Sequence, residues 1–557
     1  MISSKQSINR LAYICHRKGI KDIVFSAGSR NAPVIIAFVE SGLFNCYSIP
    51  DERAAAFVAM GMAQASGKPT LICCTSGSAA ANYTPAICEA YYQGIPLIVL
   101  TADRPVEMID QGAGQSIRQF NMYRNFIKAS FQFEQEALNE DALDKNDKII
   151  QQAIHIAEED TKGPVHINLP FEEPLYETNS EFNPDAIKWL DLEKKTFKTE
   201  LSPELVEAWK GAKRKMILFG MALPDTQLMQ RLESLCAAHG VVLLTETCSN
   251  ILIDNKIECI DRVITTISDW ESYQPDILVT MGGPVISKKI KKHFLNQKPK
   301  HHWDIYTDRP EDTFLALKQS FEMMPLDFIK MIEGHTSEYD VHYVNAWKSK
   351  NEHVKLKHQA FLKSASYSDL TVFSDIIERI PSNAFLHLAN STPVRYAQLF
   401  EQRHDISYLS NRGVSGIDGC SSTALGYALN TPDKLNILIT GDLAFFYDSN
   451  AFFHQHLPTN LKIILINNGG GGIFRIIEGP SSTNALDKFF ESQHSFNAKG
   501  IAQTFDLDYR SMDNSNFSGK RIKAFLEEKT HRPAVLEILT PNEVNDKVLR
   551  DYFQSLL

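Results

Sequence analysis

Two strand ends in the last third of the chain carry the residues with the clearest chemistry. The apolar run Ile437–Gly441 leads into Asp442, and 26 positions later Asn468 closes a second apolar run, just before the glycines 469–472. The Asp442 carboxylate, the Asn468 side-chain oxygen and a glycine carbonyl, which we assign to Gly470, form a hard oxygen ligand set of the kind that Mg²⁺ or Ca²⁺ prefers. Glycine backbone also approaches phosphates closely, so we predict a metal and phosphate site here.

The alternative is that the same residues form ordinary strand-end turns. Gly-Asp and Asn-Gly are common turn pairs. Four consecutive glycines, however, cost conformational entropy, and an ordinary turn rarely needs so many. The pattern therefore favours a binding site over a pair of turns.

Short apolar runs without alternating polarity recur along the chain and must position these residues. Such runs are typical of strands that are buried on both faces of a parallel sheet, with helices between them. Ligands bind at the carboxyl edge of such sheets, where both motif strands end. The runs begin at Asp22, Pro69, Pro96, Lys215, Asp276, Leu435 and Leu461.

The runs group into three blocks, which predicts an α/β protein of three consecutive open parallel-sheet domains. A chain of 557 residues is also too long for one hydrophobic core. We place the domains at residues 1–182, 183–355 and 356–557. The polar stretch from Glu333 to Gln359 is predicted to be a linker or an exposed helix.

Composition narrows the class of protein. The hydrophobic and charged fractions, 43% and 22%, are those of a soluble globular protein. A net charge of −10 argues against a nucleic-acid partner. Nine scattered cysteines without a C-x-x-C pair indicate neither a zinc site nor a disulfide framework. The N-terminus lacks a signal pattern and no apolar run spans a bilayer, so we expect a cytoplasmic protein with no membrane span.

A second candidate lies in the first block, at the start of an alanine-rich helix that ends near Gly67. Glu52 follows the predicted strand at Cys46 and opens this helix. A carboxylate at a helix start is favoured by the helix dipole alone, and in isolation this explanation prevails.

The order strand, Gly-Asp, spacer, strand, Asn-Asn, Gly resembles the cofactor motif of thiamine-diphosphate enzymes. This resemblance implies three domains of the thiamine-diphosphate-enzyme type, thiamine diphosphate as cofactor, and Mg²⁺ as metal with Mn²⁺ as an alternative. It also implies that Glu52 contacts N1′ of the aminopyrimidine and acts in catalysis. Because the first domain of one subunit faces the third domain of another in this superfamily, we expect an obligate homodimer, with a homotetramer as the alternative.

Further segments over nearly the whole chain resemble the 2-succinyl-5-enolpyruvyl-6-hydroxy-3-cyclohexene-1-carboxylate synthases of menaquinone biosynthesis. The resemblance is strong in the first and third blocks and weak in the middle one. It implies decarboxylation of 2-oxoglutarate and conjugate addition of the succinyl unit to isochorismate. The segments are Ser26–Pro33, Asp51–Phe57, Thr75–Ala80, Thr101–Pro105, Gln115–Gln119, Asn390–Arg395 and Ser410–Gly419.

Both substrates are dicarboxylates, so several cations should converge on the site, and arginine binds carboxylates bidentately. The resemblance assigns Arg395 and Arg412 to 2-oxoglutarate. It assigns the cofactor-binding positions Glu52, Gly441, Asp442, Asn468, Ile417, Ile473 and Phe474. It assigns isochorismate to Ser29, Arg30, Lys288, Lys289, Ser391 and Arg395, and it places Arg104 and Gln115 near the same pocket as further substrate-binding residues.

Two positions depart from the family pattern. Lys289 stands where arginine is usual, which puts a bidentate contact in doubt. Gly114 stands where asparagine is common and puts one polar contact in doubt.

There are three alternative functions, of which the first is another enzyme of the thiamine-dependent class. Another 2-oxoacid decarboxylase or acetolactate-type synthase would share Glu52 and the metal motif without requiring Arg395 and Arg412. A non-catalytic ligand-binding protein on the same fold would not need to keep Glu52, Asp442 and Asn468 together. A NAD-binding protein is disfavoured because the G-x-G-x-x-G fingerprint of such proteins is missing. The fingerprint is also missing from the central block, for which a regulatory ligand remains an open alternative.

Overall fold

Three parallel β-sheets, each flanked by helices, follow one another along the chain in the computed structural model of the protein. The structure describes residues 2–159, 161–179, 181–193, 200–335, 338–476, 479 and 482–557. Each sheet lies within one of the three predicted ranges, and the fold is the predicted α/β class. The exact domain limits stay a prediction.

The first sheet has six strands in the order β3-β2-β4-β5-β7-β6, all parallel. Two further short strands, β1 and β8, pair antiparallel. The strands are β1 Ile2–Ser3, β2 Asp22–Ser26, β3 Asn45–Ser48, β4 Thr70–Cys74, β5 Leu97–Asp103, β6 Ala129–Gln132, β7 Val165–Pro170 and β8 Thr178–Asn179. The helices are α1 Gln6–Arg17, α2 Ala32–Ser41, α3 Glu52–Ser66, α4 Ser78–Asn82, α5 Thr84–Gln93 and α6 Glu140–Glu158.

The second sheet has five parallel strands in the order β10-β9-β11-β12-β13. The strands are β9 Lys215–Phe219, β10 Val242–Thr245, β11 Ile277–Met281, β12 His301–Tyr306 and β13 Leu317–Glu322. The helices are α7 Pro203–Gly211, α8 Thr226–His239, α9 Ile260–Thr265, α10 Lys288–Asn296, α11 Pro325–Glu333 and α12 Val341–Leu362.

The third sheet has six parallel strands in the order β15-β14-β16-β17-β19-β18. The strands are β14 Phe385–Leu388, β15 Ser407–Leu409, β16 Asn436–Gly441, β17 Leu461–Asn467, β18 Asp508–Met512 and β19 Ala534–Leu539. The helices are α13 Asp369–Arg379, α14 Thr392–Ala397, α15 Cys420–Leu429, α16 Asp442–Tyr447, α17 Ile473–Ile476, α18 Lys499–Thr504, α19 Gly519–Glu527 and α20 Asn542–Leu556.

Strand order places a binding crevice in the third sheet between β14 and β16. The chain runs outward from β14 to β15 and then returns to the other side of β14 as β16. Such a reversal leaves the loops after the two strands diverging, and ligands of open α/β sheets bind in that gap. The loop after β14 carries Asn390 and Ser391, and the loop after β16 carries Asp442.

Helices α3 and α15 join the first and third sheet units through an unusually close contact. A Cβ atom at Gly61 would collide with the backbone oxygen of Thr423, and one at Gly426 would collide with that of Val58. Glycine at both positions lets the two backbones touch. The first unit is thereby fixed against the third, with Glu52 at the start of α3.

The polar stretch from Glu333 to Gln359 is mostly helical, but α12 is not simply exposed. Tyr343, Trp347 and His358 of this helix are buried. The predicted boundary at residue 355 therefore falls within a continuous, partly packed helix; residues 336–337 of the stretch lie outside the described part of the chain.

All nine cysteines are free, and seven are buried. Among the described residues, no helix has the length and apolar character required to cross a membrane.

Candidate active site

Asp442 begins helix α16 at the end of β16 and is 2% exposed. Its Oδ2 accepts hydrogen bonds from the backbone N–H of Gly469 at 2.8 Å and of Gly470 at 3.0 Å, and its Oδ1 accepts one from Leu443. Burial raises the pKa of Asp442, and these N–H groups oppose that shift. The carboxylate thus ties the two predicted strand ends together.

Asn468 faces the same crevice with a free acceptor. Its Nδ2 donates to Oδ2 of Asp369 at 3.1 Å, and its Oδ1 is buried without a hydrogen-bond partner. The Asp369 carboxylate serves as a hydrogen-bond acceptor, and it also accepts a hydrogen bond from the Thr540 hydroxyl. The contact therefore orients the Asn468 amide so that its oxygen points away from Asp369. A buried unsatisfied oxygen is costly unless a ligand completes it.

The glycines leave room for a phosphate and a metal. A Cβ at Gly441 would meet no atom within 4 Å, whereas one at Gly470, whose φ is 152°, would lie 2.8 Å from the Glu491 carbonyl oxygen. The Gly470 carbonyl accepts from Gly472 N–H at 3.0 Å and keeps a second lone pair. The residues present fit a metal diphosphate.

Protein ligands alone do not make a complete metal cage here. Within the described ranges, no group of three His, Cys, Asp or Glu side chains is arranged to hold a metal ion. Mg²⁺ usually keeps few protein ligands and takes the rest from phosphate and water. The oxygen set of Asp442, Asn468 and Gly470 matches that preference.

Glu52 is the first residue of α3 and is half-buried. Asp51 caps the helix by accepting from Ala54 N–H at 2.9 Å, so Glu52 is not needed as the cap. Glu52 Oε2 accepts from Asn82 Nδ2 at 3.3 Å. The helix-dipole explanation is thus not the whole account of this carboxylate, which is held by a side chain from α4.

Arg395 and Arg412 lie near each other at the carboxyl edge of the third sheet. Burial lowers the pKa of Arg395, and Arg412 lowers it further. Arg412 donates to Asn390 Oδ1 at 2.8 Å, and the Nε atoms of both arginines are buried without a partner. Neither guanidinium forms an ion pair within the described chain. Two adjacent cations with free donors are suited to a carboxylate ligand.

Lys291, which the sequence analysis missed, belongs to this cation group. Burial is the main reason that the pKa of Lys291 is lowered; Glu246 opposes the shift, and Arg412 and Arg395 add to it. Helical spacing places Lys291 on the same face of α10 as Lys288, three positions earlier. This spacing was the signal that could have found it.

The two predicted lysines occupy different surroundings. Lys288 is exposed at the start of α10. The Lys289 ammonium contacts the Thr265 hydroxyl and lies 3.4 Å from the ring centroid of Phe553. These contacts engage Lys289 within the protein, and substrate binding by either lysine stays a prediction.

Arg30 and Arg104 form a second cation pair, at the carboxyl edge of the first sheet. Arg30 is 6% exposed and donates to the Phe171 carbonyl at 3.1 Å. Burial lowers its pKa, and Arg104 lowers it further. Arg104 Nε donates to the Gly114 carbonyl at 3.2 Å, a backbone contact that any residue at position 114 could accept, so the effect of Gly114 stays a prediction.

Other predicted positions near the cation pairs are accessible to ligands. Ser29 and Gln115 are exposed, and Gln115 has a φ of 53° beside the Gly77 turn. Ile417 is 36% exposed despite its apolar side chain. Ile473 and Phe474 are half-buried, and the Phe474 ring lies 5.6 Å from that of Phe490.

Ser391 has a backbone conformation that L-residues rarely adopt. Its φ is 75° and its ψ is −124° at the start of α14. Such conformations cost about 1–3 kcal/mol and concentrate at ligand sites. The loop after β14 therefore holds a strained backbone conformation at Ser391, which lowers the free energy of unfolding.

We expect Ser391→Gly to raise the free energy of unfolding by about 1 kcal/mol, because glycine adopts this conformation without strain. Chemical denaturation measures the change. Asn383→Gly is the control, because its φ of 63° is one that asparagine tolerates, so little change is expected. A Ser391→Gly variant less stable than the parent would contradict the strain interpretation.

Two family models match the chain at the units that hold these groups. The N-terminal TPP-binding domain of thiamine pyrophosphate enzymes matches residues 8–122, and the C-terminal TPP-binding domain matches residues 391–538. The first range includes Glu52, and the second includes Asp442 and Asn468. Fold, site and family models together define a thiamine pyrophosphate enzyme.

Relatives that match over nearly the full chain narrow this class. A 2-succinyl-5-enolpyruvyl-6-hydroxy-3-cyclohexene-1-carboxylate synthase of Flavobacterium johnsoniae is 43% identical and covers 98% of this chain and 97% of its own. Those of Flavobacterium psychrophilum and Porphyromonas gingivalis are 42% and 37% identical, covering 98% and 99% of this chain and 97% of their own. The chain belongs to the 2-succinyl-5-enolpyruvyl-6-hydroxy-3-cyclohexene-1-carboxylate synthase family.

Proposed function

We propose that this protein decarboxylates 2-oxoglutarate and adds the remaining succinyl unit to isochorismate, forming 2-succinyl-5-enolpyruvyl-6-hydroxy-3-cyclohexene-1-carboxylate for menaquinone biosynthesis. The name of the relatives supports this product. The observation that carries the substrate class is the Arg395–Arg412 pair, two adjacent cations with buried, unpartnered donors. A dicarboxylate substrate would satisfy them.

The protein residues divide the work. Asp442, Asn468 and Gly470 hold the divalent metal, for which we propose Mg²⁺ with Mn²⁺ as the alternative. Thiamine diphosphate, when bound, supplies a carbon nucleophile that also accepts the electron pair left by carbon dioxide. The Glu52 carboxylate would hold or exchange a proton at N1′ of the aminopyrimidine of the bound cofactor. Ile417 supports the cofactor, with Gly441, Ile473 and Phe474 around it.

The two cation groups receive the two substrates. Arg395 and Arg412 bind 2-oxoglutarate. For isochorismate we propose Ser29, Arg30, Lys288, Lys289, Ser391 and Arg395, with Arg104 and Gln115 near the same pocket. The dianionic charge of both substrates makes electrostatic attraction to these groups favourable in a chain whose net charge is −10.

We propose a homodimer as the smallest active form, in the cytoplasm. The resemblance to the thiamine-enzyme superfamily supports this proposal, because there the first domain of one subunit faces the third domain of another.

The test is a reaction of purified protein with thiamine diphosphate, Mg²⁺ and 2-oxoglutarate, with and without isochorismate, followed by mass spectrometry. We expect a succinylated cyclohexene product that requires isochorismate. Carbon dioxide release with isochorismate unchanged would instead support a 2-oxoacid decarboxylase. Cofactor binding without either reaction would support a non-catalytic binding protein.

A further inference from the structure

A buried carboxylate of the first sheet unit is bonded to the loop that carries Arg412. Glu89 lies on α5 and is 1% exposed. Its Oε1 accepts from Gly413 N–H at 2.6 Å, and its Oε2 accepts from Val414 N–H at 2.8 Å and Ser415 N–H at 3.3 Å. Three consecutive backbone donors thus converge on one carboxylate, from residues more than 300 positions away along the chain.

The loop approaches Glu89 so closely at Gly413 that a side chain at this position would collide with Glu89. A Cβ at Gly413 would lie 2.6 Å from the Glu89 backbone oxygen and 3.1 Å from its Oε1. Ser415 has a φ of 63°, so successive N–H groups turn toward the same point. The loop conformation and the carboxylate position therefore depend on each other.

Asn390 holds the same loop from the opposite side. Its Nδ2 donates to the carbonyls of Asn411 at 2.6 Å and Gly416 at 2.7 Å, and its Oδ1 accepts from Arg412. Asn390 binds carbonyls and the guanidinium, whereas Glu89 binds the N–H groups. Among the described residues, Glu89 supplies the hydrogen bonds between this loop and the first sheet unit, and Gly419 also lies against the Phe57 ring.

We propose that Glu89 is a positioning residue that clamps the loop 410–419 and thereby aims the Arg412 guanidinium at the carboxylate of an acidic substrate. The substrate part of this inference rests on the proposed function; the clamp itself does not. Hydrogen bonds from backbone N–H to a buried charge are among the stronger ones in proteins, and a buried donor left unpaired is costly. In Glu89→Gln one of the two oxygens becomes an NH₂ group, so at least one of the three donors loses its acceptor and faces another donor.

The test compares Glu89→Gln with Asp147→Asn in the full-length holoenzyme. Asp147 is also 1% exposed and lies in the first sheet unit, where it pairs with Arg10 away from the Arg412 loop. It controls for general destabilisation after loss of a buried carboxylate. Glu89→Asp retains the negative charge on a shorter side chain, so it should keep part of the loop contact that Glu89→Gln loses. Circular dichroism establishes which variants are folded.

Two readouts separate the clamp from the chemistry. In hydrogen exchange followed by mass spectrometry, Glu89→Gln should speed exchange in the peptide 410–419 by about tenfold or more, and Asp147→Asn should not. In kinetics, Glu89→Gln should raise KM for 2-oxoglutarate by about tenfold, with a change below about threefold for isochorismate.

The outcomes are distinguishable. Unchanged exchange in Glu89→Gln, or faster exchange with unchanged KM for 2-oxoglutarate, would overturn the proposal. If Glu89→Gln does not fold, Glu89→Asp, whose shorter side chain weakens the contacts, should show smaller increases in exchange and in KM for 2-oxoglutarate, and wild-type values of either quantity would overturn the proposal. A wild-type protein without turnover would refute the proposed function, while hydrogen exchange would still decide whether Glu89 clamps the loop.

Discussion

Glu52→Gln should lower kcat roughly 100- to 10,000-fold, the range expected when a positioned acid–base group is removed. Glutamine keeps the size of the side chain and its contact with Asn82, but it cannot exchange a proton at the same position. Because Asp51 supplies the helix cap, the start of α3 should stay intact. Steady-state product formation at saturating cofactor measures the loss.

Glu40→Gln is the matched control for this prediction. It removes an exposed carboxylate of α2 in the same sheet unit and should leave kcat unchanged. Calorimetric titration should show that Glu52→Gln still binds thiamine diphosphate within about tenfold of wild type, since the metal ligands are untouched. Full activity in Glu52→Gln would exclude Glu52 as the proton-exchanging group.

The fold and the meeting of the two strand ends that carry Asp442 and Asn468 could be predicted because their signals are local. Continuous apolar runs such as Leu461–Asn467 became parallel strands, since helices on both sides of a parallel sheet bury both faces of its strands. Strand ends of neighbouring parallel strands must meet at one edge, so Asp442 and Asn468 were expected together. The structure joins them through Gly469 and Gly470.

The residues that orient these groups could not be predicted because their contacts are distant in sequence. Asp369 holds Asn468 across 99 positions, and Glu89 reaches Gly413 across 324. A single carboxylate in an amphipathic helix gives no sign of its tertiary partner. Lys291 is different, because its spacing from Lys288 was visible in the sequence. The spacing does not show what the lysines face, because the residues packed opposite that side of the helix come from other parts of the chain.

Removal of the Asp442 carboxylate is expected to have the other large effect. Asp442→Ala deletes a proposed metal ligand, leaves the Gly470 N–H without its acceptor and leaves the Gly469 N–H with Asn467 Oδ1 alone. Hydrogen bonds to a charged group contribute about 1.5–3 kcal/mol each. The Mg²⁺-dependent affinity for thiamine diphosphate should therefore fall by about 100-fold or more. Calorimetric titration of the cofactor, with Mg²⁺ and then with EDTA, measures it.

Asp369→Asn and Asp506→Asn are the comparison variants for this result, with an intermediate loss and no loss of cofactor affinity expected. Asp369 acts only through Asn468, and loss of such an outer partner typically weakens metal binding about 10- to 100-fold, less than loss of the ligand itself. Asp506 is an exposed carboxylate of the same unit, and its replacement should leave the affinity unchanged. In wild type, EDTA should abolish the affinity that Asp442→Ala has already lost. An Asp442→Ala protein that binds the cofactor as tightly as wild type, and still loses it to EDTA, would place the metal elsewhere.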